Sequence, residues 1–414
     1  VLFLLFASTA EILFRRYELW RCGNRPSNLI LLLLDARIES VKARKHRAPI
    51  RGSTDSVLGL DASPEKDDDP PMSRWQACAE EDAQLVRGVN DQQGARELKP
   101  SILQLNPILV PAINAKLAEL YTMHRLFEQD DKEAYIREHG ASIRGVITGG
   151  HTGISNDLIE RLPALEVIAV NGVGTDAVDL KFARARGIPV TATFGALTED
   201  VADLALGLML AVCREICPGN TFVKTGNWQS NPHPGALPLS HRFSGKRVGI
   251  VGMGKVGRAI AQRASAFGCP ITYTDLRAMD DVPHRFVGDL LSLARGCDIL
   301  VLAAAADKAQ GIVNAAVLDA LGKDGYLVNI ARGKLVVEND LVEALSHGVI
   351  AGAGLDVFVD EPNVPAALLD MDRVVLQAHR ASATIESRTA MGEMVMASLA
   401  QALAGQRPEG SLTT

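Results

Sequence analysis

Along residues 99–414, short aliphatic and β-branched runs alternate with stretches whose apolar positions recur every three or four residues. "SILQLN" (101–106), "RGVITG" (144–149) and "LEVIAVN" (165–171) read as strands. "INAKLAELYTMHRLF" (113–127) and "NDLIERL" (156–162) read as the helices between them. A long apolar helix follows over "TEDVADLALGLMLAVCREI" (198–216), with Thr198 as its expected N-cap and acids in its first turn. Past a Gly/Pro-rich stretch (225–240), a second series of strands begins: "RVGIVG", "ITYTD", "DILVLA", "GYLVNI", "AGAGLDV" and "VVLQA". Helical patterns separate most of them, and a last helix is expected from about Thr384 to Ala404. Strands that alternate with helices predict an α/β fold built on parallel sheets.

Residues 1–98 break this rhythm. "VLFLLFASTAEILF" has no basic residues ahead of its apolar run, and Glu11 interrupts it, so a membrane span is not expected there or over 99–414. "VKARKHRAPIR" is basic and "DASPEKDDDPP" acidic, so 36–71 reads as linker or disordered chain. The segment 1–98 is therefore expected to be an extension, disordered or mis-assigned, with Met72 as one possible start. Its place in the mature protein stays open, as does a targeting role.

Composition narrows the function. A chain of 414 residues with 47% apolar content can bury two cores. A net charge of −6 without a basic face argues against nucleic acid as partner. Six cysteines without a paired framework suggest a reducing compartment, the cytoplasm. Cys213 and Cys217, four apart on an expected helix, read as packing thiols, and no metal site is expected.

The first chemical signal is "VGIVGMGKVGRAIA". Gly252, Gly254 and Gly257 form G-x-G-x-x-G between an apolar strand and a helix. Gly252 permits a tight turn, Gly254 lets a pyrophosphate approach the backbone, and Gly257 lets the helix pack on the strand. Asp275, 18 residues beyond Gly257, ends the next strand and can accept the ribose hydroxyls. A carboxylate there repels a 2′-phosphate and favours NAD, but Arg277 two residues on leaves NADP open.

Ligands bind outside the carboxyl ends of the strands in such sheets. "GYLVNI" is followed by Arg332, "AGLDV" carries Asp356 with Glu361 in the loop beyond, and "VVLQA" runs into His379. That set suits hydride transfer to a 2-oxo acid. His379 can protonate the developing alkoxide, while Glu361 on its other ring nitrogen keeps the acid form available. Arg332 can hold the substrate carboxylate and polarise the ketone. Asp356 could receive the nicotinamide carboxamide. Each also has a plainer reading: a structural histidine, a loop ion pair, a solvated turn acid. His151, in "GGHTGISND", lies in a loop that could border the pocket or simply face solvent.

Six segments in order, "VNGVGTDAVD", "TEDVADLALGLMLA", "VGIVGMGKVGRAIA", "VNIARGKLVVE", "AGAGLDVFVDEPNVP" and "VVLQAHRASAT", make the chain resemble the D-isomer-specific 2-hydroxyacid dehydrogenases over nearly all of 100–414. Within that family it looks most like the glyoxylate/hydroxypyruvate reductases, through "GAGLDVFVDEPNVP" and the alanine run at 303–306. The resemblance implies Arg332, Glu361 and His379 as the catalytic set and the backbone of Val173 and Gly174 as a carboxylate site. It implies Lys255 and Val256 at the pyrophosphate, Asp356 at the nicotinamide amide, and Ile330 and Ala331 along the nicotinamide face. It further implies two Rossmann-like domains, one flavodoxin-like and one dinucleotide-binding, with a cleft between them. The substrate domain would comprise 99–197 and 380–414, the cofactor domain 198–379, and the protein would be a homodimer.

Some positions depart from the family pattern. Ala378 stands where proline usually precedes the histidine, and Arg380 and Ala381 replace a small glycine-containing stretch. "ATFG" (192–195) replaces a more usual Asn-Thr-Pro, and Asp275-Leu276 stands where NADP-using relatives tend to carry Gly-Arg. Alternatives to a glyoxylate/hydroxypyruvate reductase are a D-lactate-like dehydrogenase with another pocket and a nucleotide-sensing protein like the related C-terminal-binding corepressors. A formate dehydrogenase fits less well, since it usually carries a glutamine before the histidine.

Overall fold

The structure, a computed structural model, describes residues 99–233, 235–304 and 309–413. The expectations for 1–98 and for positions 305–306 lie outside those residues. These described residues belong to one unit that carries two sheets. The first has the order β2-β1-β3-β4-β5, from β1 (Ser101–Gln104), β2 (Thr122–Arg125), β3 (Ile143–Thr148), β4 (Val167–Val170) and β5 (Val190–Ala192). The second has the order β12-β11-β10-β9-β6-β7-β8, from β6 (Val248–Val251), β7 (Ile271–Thr274), β8 (Arg285–Phe286), β9 (Ile299–Leu302), β10 (Tyr326–Asn329), β11 (Gly352–Leu355) and β12 (Val374–Leu376). Every strand pair is parallel.

Parallel strands are covered on both faces, which is why the central ones read as unbroken apolar runs. β4, β6, β9 and β10 are buried at every residue. The helices around the first sheet are α1 (Pro111–Leu120), α2 (Lys132–His139), α3 (Asn156–Glu160) and α4 (Leu180–Ala185). Next come α5 (Thr198–Arg214), α6 (Ile216–Lys224), α7 (Asn227–Ser230), α8 (Lys255–Ala266), α9 (Leu290–Arg295), α10 (Ala315–Leu321), α11 (Glu338–Ser346), α12 (Ala366–Leu369) and α13 (Ile385–Leu403). The two long helices divide the work: α5 packs on α8, β10, β11 and β12, whereas α13 packs on α1, β3, β4 and β5.

The structure corrects four sequence expectations. The expected helix 113–127 stops at Leu120, and Thr122–Arg125 forms edge strand β2. Leu117, Tyr121 and His124 are all buried and follow a helical spacing, so the two elements run together in the pattern. An edge strand buried only in part carries no apolar run of its own to mark it. Thr198 is not an N-cap: Leu197 takes that position without a side-chain bond, and Thr198 begins the helix. The expected 198–216 helix breaks at Glu215, whose φ of 52° ends α5 and starts α6. Cys213 and Cys217 therefore lie on different helices. Cys213 is buried, with burial pushing its thiol up to about 11, but Cys217 is exposed and is not a packing thiol.

The glycine loop has the shape its spacing predicts. Gly252 has φ 94°, left-handed backbone that L side chains rarely adopt. A Cβ on Gly257 would lie 2.1 Å from the Gly252 carbonyl oxygen, so only glycine lets α8 start this close to β6. No described helix is long and apolar enough to cross a membrane.

Candidate active site

A cavity of about 880 Å³ opens at the carboxyl ends of the strands. It gathers the expected residues from widely separated segments: Val173 and Gly174 after β4, Gly254, Lys255 and Val256 at the start of α8, and Ile330, Ala331 and Arg332 after β10. Asp356, Glu361 and His379 complete that wall. Gly252, Gly257 and Asp275 are not part of the lining. The first two shape the turn from behind. Asp275 instead accepts a hydrogen bond from the Met253 N–H at 2.7 Å, which ties the end of β7 to the glycine loop.

His379 and Glu361 meet directly. The Nδ1 of His379 lies 2.9 Å from Oε2 of Glu361, while Oε1 accepts the Phe358 N–H at 3.0 Å. Burial pushes the Glu361 carboxyl up, but these bonds and the neighbouring imidazoles outweigh it and hold the group below its ordinary value. Glu361 is thus ionised at neutral pH. It fixes the tautomer so that Nε2 of His379 is the nitrogen free for chemistry.

Asp356 explains how His379 is aimed. It is fully buried at the end of β11, and its two oxygens accept the backbone N–H groups of Arg380 (2.7 Å) and Ala381 (3.0 Å). Its own carbonyl accepts the His379 N–H at 2.8 Å. Three bonds therefore clamp the turn in which His379 sits at φ 50°, a conformation that costs about 1–3 kcal/mol outside glycine. Burial raises the Asp356 carboxyl above its usual range despite the two amide donors. The sequence-based expectation for Asp356 concerned the nicotinamide amide and missed this clamp. Strand-end position identifies the residue but not its backbone partners.

Two hydrogen bonds hold Arg332. Nη1 donates to the Ala331 carbonyl at 2.7 Å and Nε to Asp176 at 3.2 Å, with Lys334 3.9 Å from the same carboxylate. Gly174 leaves room for it: a Cβ there would lie 2.0 Å from Nη2. Asp176 was not foreseen, although it stands two residues after Gly174 in a segment that the sequence singles out.

His151 lies at the pocket rather than in remote solvent. Its ring stacks edge-on against His379 with centroids 4.5 Å apart, and its Nε2 is 3.9 Å from Oε2 of Glu361. Burial and the charge of His379 pull its imidazole below the usual value. Ligand atoms of His151, Glu361 and His379 all fall within 4.8 Å of one another, a spacing that could hold a metal ion. The Glu361–His379 hydrogen bond already satisfies two of those groups as a proton pair.

The residues also fit a dinucleotide. Nothing lies within 4 Å of a Cβ built on Gly254, so the backbone there faces open space. Gly254 caps α8 without any side-chain bond, which leaves the first amides of that helix free to meet phosphate.

With this geometry in view, the comparisons with known proteins are decisive. The D-isomer specific 2-hydroxyacid dehydrogenase, NAD binding domain, family matches residues 206–381. A 2-ketogluconate reductase of Gluconobacter oxydans is 44% identical over 302 residues, covering 73% of this chain and 94% of the relative. The chain belongs to the D-isomer specific 2-hydroxyacid dehydrogenase family.

Other members agree. Glyoxylate/hydroxypyruvate reductase A of Arabidopsis thaliana is 40% identical over 292 residues, 70% of this chain and 92% of its own. Among solved structures, a 2-hydroxyacid dehydrogenase from Ketogulonicigenium vulgare Y25 matches with TM-score 0.70 at 41% identity, covering 76% of this chain and 98% of that one. An NADPH-dependent glyoxylate/hydroxypyruvate reductase from Sinorhizobium meliloti, solved with NADP and malonate, matches with TM-score 0.69 at 35% identity, covering 76% and 97%. The dehydrogenase's nicotinamide-binding domain thus lies over the second sheet.

Proposed function

We propose that this dehydrogenase reduces small 2-oxo acids to D-2-hydroxy acids with NAD(P)H, as a glyoxylate/hydroxypyruvate reductase. The observation that carries the reading is the 2.9 Å His379–Glu361 pair facing the same cavity as Arg332. The bound nicotinamide supplies hydride. The Arg332 guanidinium and the amides of Val173 and Gly174 bind the substrate carboxylate, and Arg332 also polarises the carbonyl. His379 delivers a proton from Nε2 to the carbonyl oxygen as charge develops on it, and Glu361 stabilises the imidazolium beforehand. Lys255, Val256 and Gly254 take the pyrophosphate, with Gly252 and Gly257 shaping the loop. Ile330 and Ala331 line the nicotinamide side, and Asp356 can meet its amide only while holding the His379 turn.

For the ribose, Asp275 favours NAD over NADP. Arg277 is exposed next to it, so parallel assays with NADH and NADPH decide the cofactor. The direct test is loss of nicotinamide absorbance with glyoxylate, hydroxypyruvate and pyruvate. Turnover of pyruvate alone would point to a D-lactate-like enzyme, and tight cofactor binding without any turnover to a nucleotide sensor.

The helix packing supports the division into 99–197 with 380–414 as substrate domain and 198–379 as cofactor domain. The Leu412 N–H donates to the Val190 carbonyl and the Thr413 hydroxyl to that of Ile188, so the chain end returns to β5. A homodimer is supported by α6 and α7, which bury no residue and expose Ile216, Val223 and Trp228. Light scattering should return twice the chain mass of 44.3 kDa. The four described cysteines are unpaired, in keeping with a cytoplasmic enzyme.

The Glu361 role predicts a loss of turnover when its charge is removed. Its bonds to His379 and to the Phe358 N–H hold the carboxyl below its ordinary value, so it stays ionised at neutral pH and keeps the imidazole in place through Nδ1. Glu361→Gln removes that charge, so kcat should fall by about tenfold or more while cofactor affinity is kept. A kcat equal to the native value would refute the role.

A further inference from the structure

The active-site cavity contains a second guanidinium that the reading above leaves without a task. Arg388 lines it from the first turns of α13, together with Met391 and near Leu109 and Phe194. Its Nε is buried and has no hydrogen-bond partner among the described residues. No carboxylate among those residues pairs with it. Arg144, Arg247, Arg258 and Arg263 differ in this respect, for each donates to an aspartate or glutamate. Asp200 is engaged by the hydroxyls of Thr384 and Ser387 at the start of the same helix.

This placement is unfavourable three times over. Burial disfavours the charged form, and it is the cause that lowers the proton affinity of Arg388. A cation near the N-terminus of a helix opposes the helix dipole. A guanidinium with an unmet donor forgoes a charge-assisted bond. A leucine or methionine at this position would avoid all three, so the arrangement gains only when an acceptor enters the cavity.

The substrate has one part without a partner. A 2-oxo acid held through its carboxylate at Gly174 and Arg332, with its carbonyl oxygen at His379, still carries whatever is bonded to carbon 3. We propose that Arg388 is the specificity-determining residue of this site and receives an oxygen-bearing substituent, hydroxyl or carboxylate, at carbon 3 or beyond. The inference rests on the 2-oxo acid reading of the cavity. A hydroxymethyl or carboxymethyl group offers lone pairs to the guanidinium, whereas the methyl of pyruvate leaves it desolvated and unpaired. Sites built to hydrogen-bond a substrate hydroxyl reject the analogue without it far more strongly than apolar pockets reject an added group. Glyoxylate, which has no carbon 3, leaves room for water at Arg388.

The experiment compares kcat/KM for hydroxypyruvate and pyruvate in the full chain and in Arg388→Met, with saturating reduced cofactor. The native protein should prefer hydroxypyruvate by on the order of 10³-fold or more, and Arg388→Met should bring that ratio within about tenfold. The ligand-free variant should also melt at higher temperature, because a half-buried cation with an unmet donor has been removed. A ratio equal in both proteins overturns the proposal. So does a parallel fall on both substrates with a lower melting temperature, which is the signature of a structural arginine. If the native protein turns over no 2-oxo acid, the reductase reading fails, and calorimetric titration of hydroxypyruvate into the NAD-loaded protein decides Arg388 separately. Binding that Arg388→Met abolishes supports its role, and no binding to the native protein overturns it.

Discussion

Replacing His379 by asparagine should lower kcat for 2-oxo acid reduction by about 10³-fold or more, with cofactor affinity held within about threefold. Asparagine isolates the chemistry. Residue 379 sits at φ 50°, and asparagine is among the side chains that tolerate this left-handed region, so the turn clamped by Asp356 survives. What is lost is the group able to give a proton, since an amide cannot act as an acid near neutrality. The carboxylate of Glu361 then faces a neutral partner, so the pH dependence of the residual rate should flatten as well. Steady-state assays over pH, together with cofactor titration by fluorescence quenching, measure both parts. A variant that retains more than a tenth of the native kcat would remove His379 from the reaction.

Arg332→Gln should reduce kcat/KM by about 10²–10⁴-fold. The estimate comes from two charge-assisted hydrogen bonds to the substrate, each about 1.5–3 kcal/mol, at 1.36 kcal/mol per decade of rate. Glutamine keeps length and polarity but lacks the charge and the fork. Lysine in its place should recover only part of the loss, because a point charge cannot grip a carboxylate in two places. The fold should tolerate both changes, since Asp176 keeps Lys334 3.9 Å away as a counter-charge. Gly174→Ala provides a check that leaves Arg332 in the sequence. Its Cβ would fall 2.0 Å from Nη2, and the flexible end of the arginine would swing off the substrate position with little cost to stability. Comparable KM values in Arg332→Gln and the native enzyme would disprove the carboxylate role.

Much of this protein was legible before any coordinates. β6, β9 and β10 are buried on both faces, and such strands write themselves as continuous apolar runs. The glycine loop was legible because a tight turn with φ 94° and a 2.1 Å approach admits no side chain. Arg332, Asp356 and His379 lie within three residues of strand ends, and in a parallel sheet all strand ends of one kind lie on one edge. Local pattern determines element, face and edge, and these properties brought Arg332, Asp356 and His379 to one cavity.

Contacts between distant segments were not legible. Edge strand β2 merged with α1 because a half-exposed strand has no apolar signature of its own. Glu215 broke the expected 198–216 helix through its own backbone angle, which no spacing of apolar residues encodes. Asp176 meets Arg332 across 156 residues, and His151 reaches His379 from the other sheet. Arg388 lines the cavity only because α13 is laid against the first sheet with its opening turns there. Sequence periodicity determined the two sheets and the residues offered at their ends, because burial of a strand or helix face is a local demand. The tertiary structure alone decided which of those residues meet, because their distances depend on how one sheet is mounted against the other.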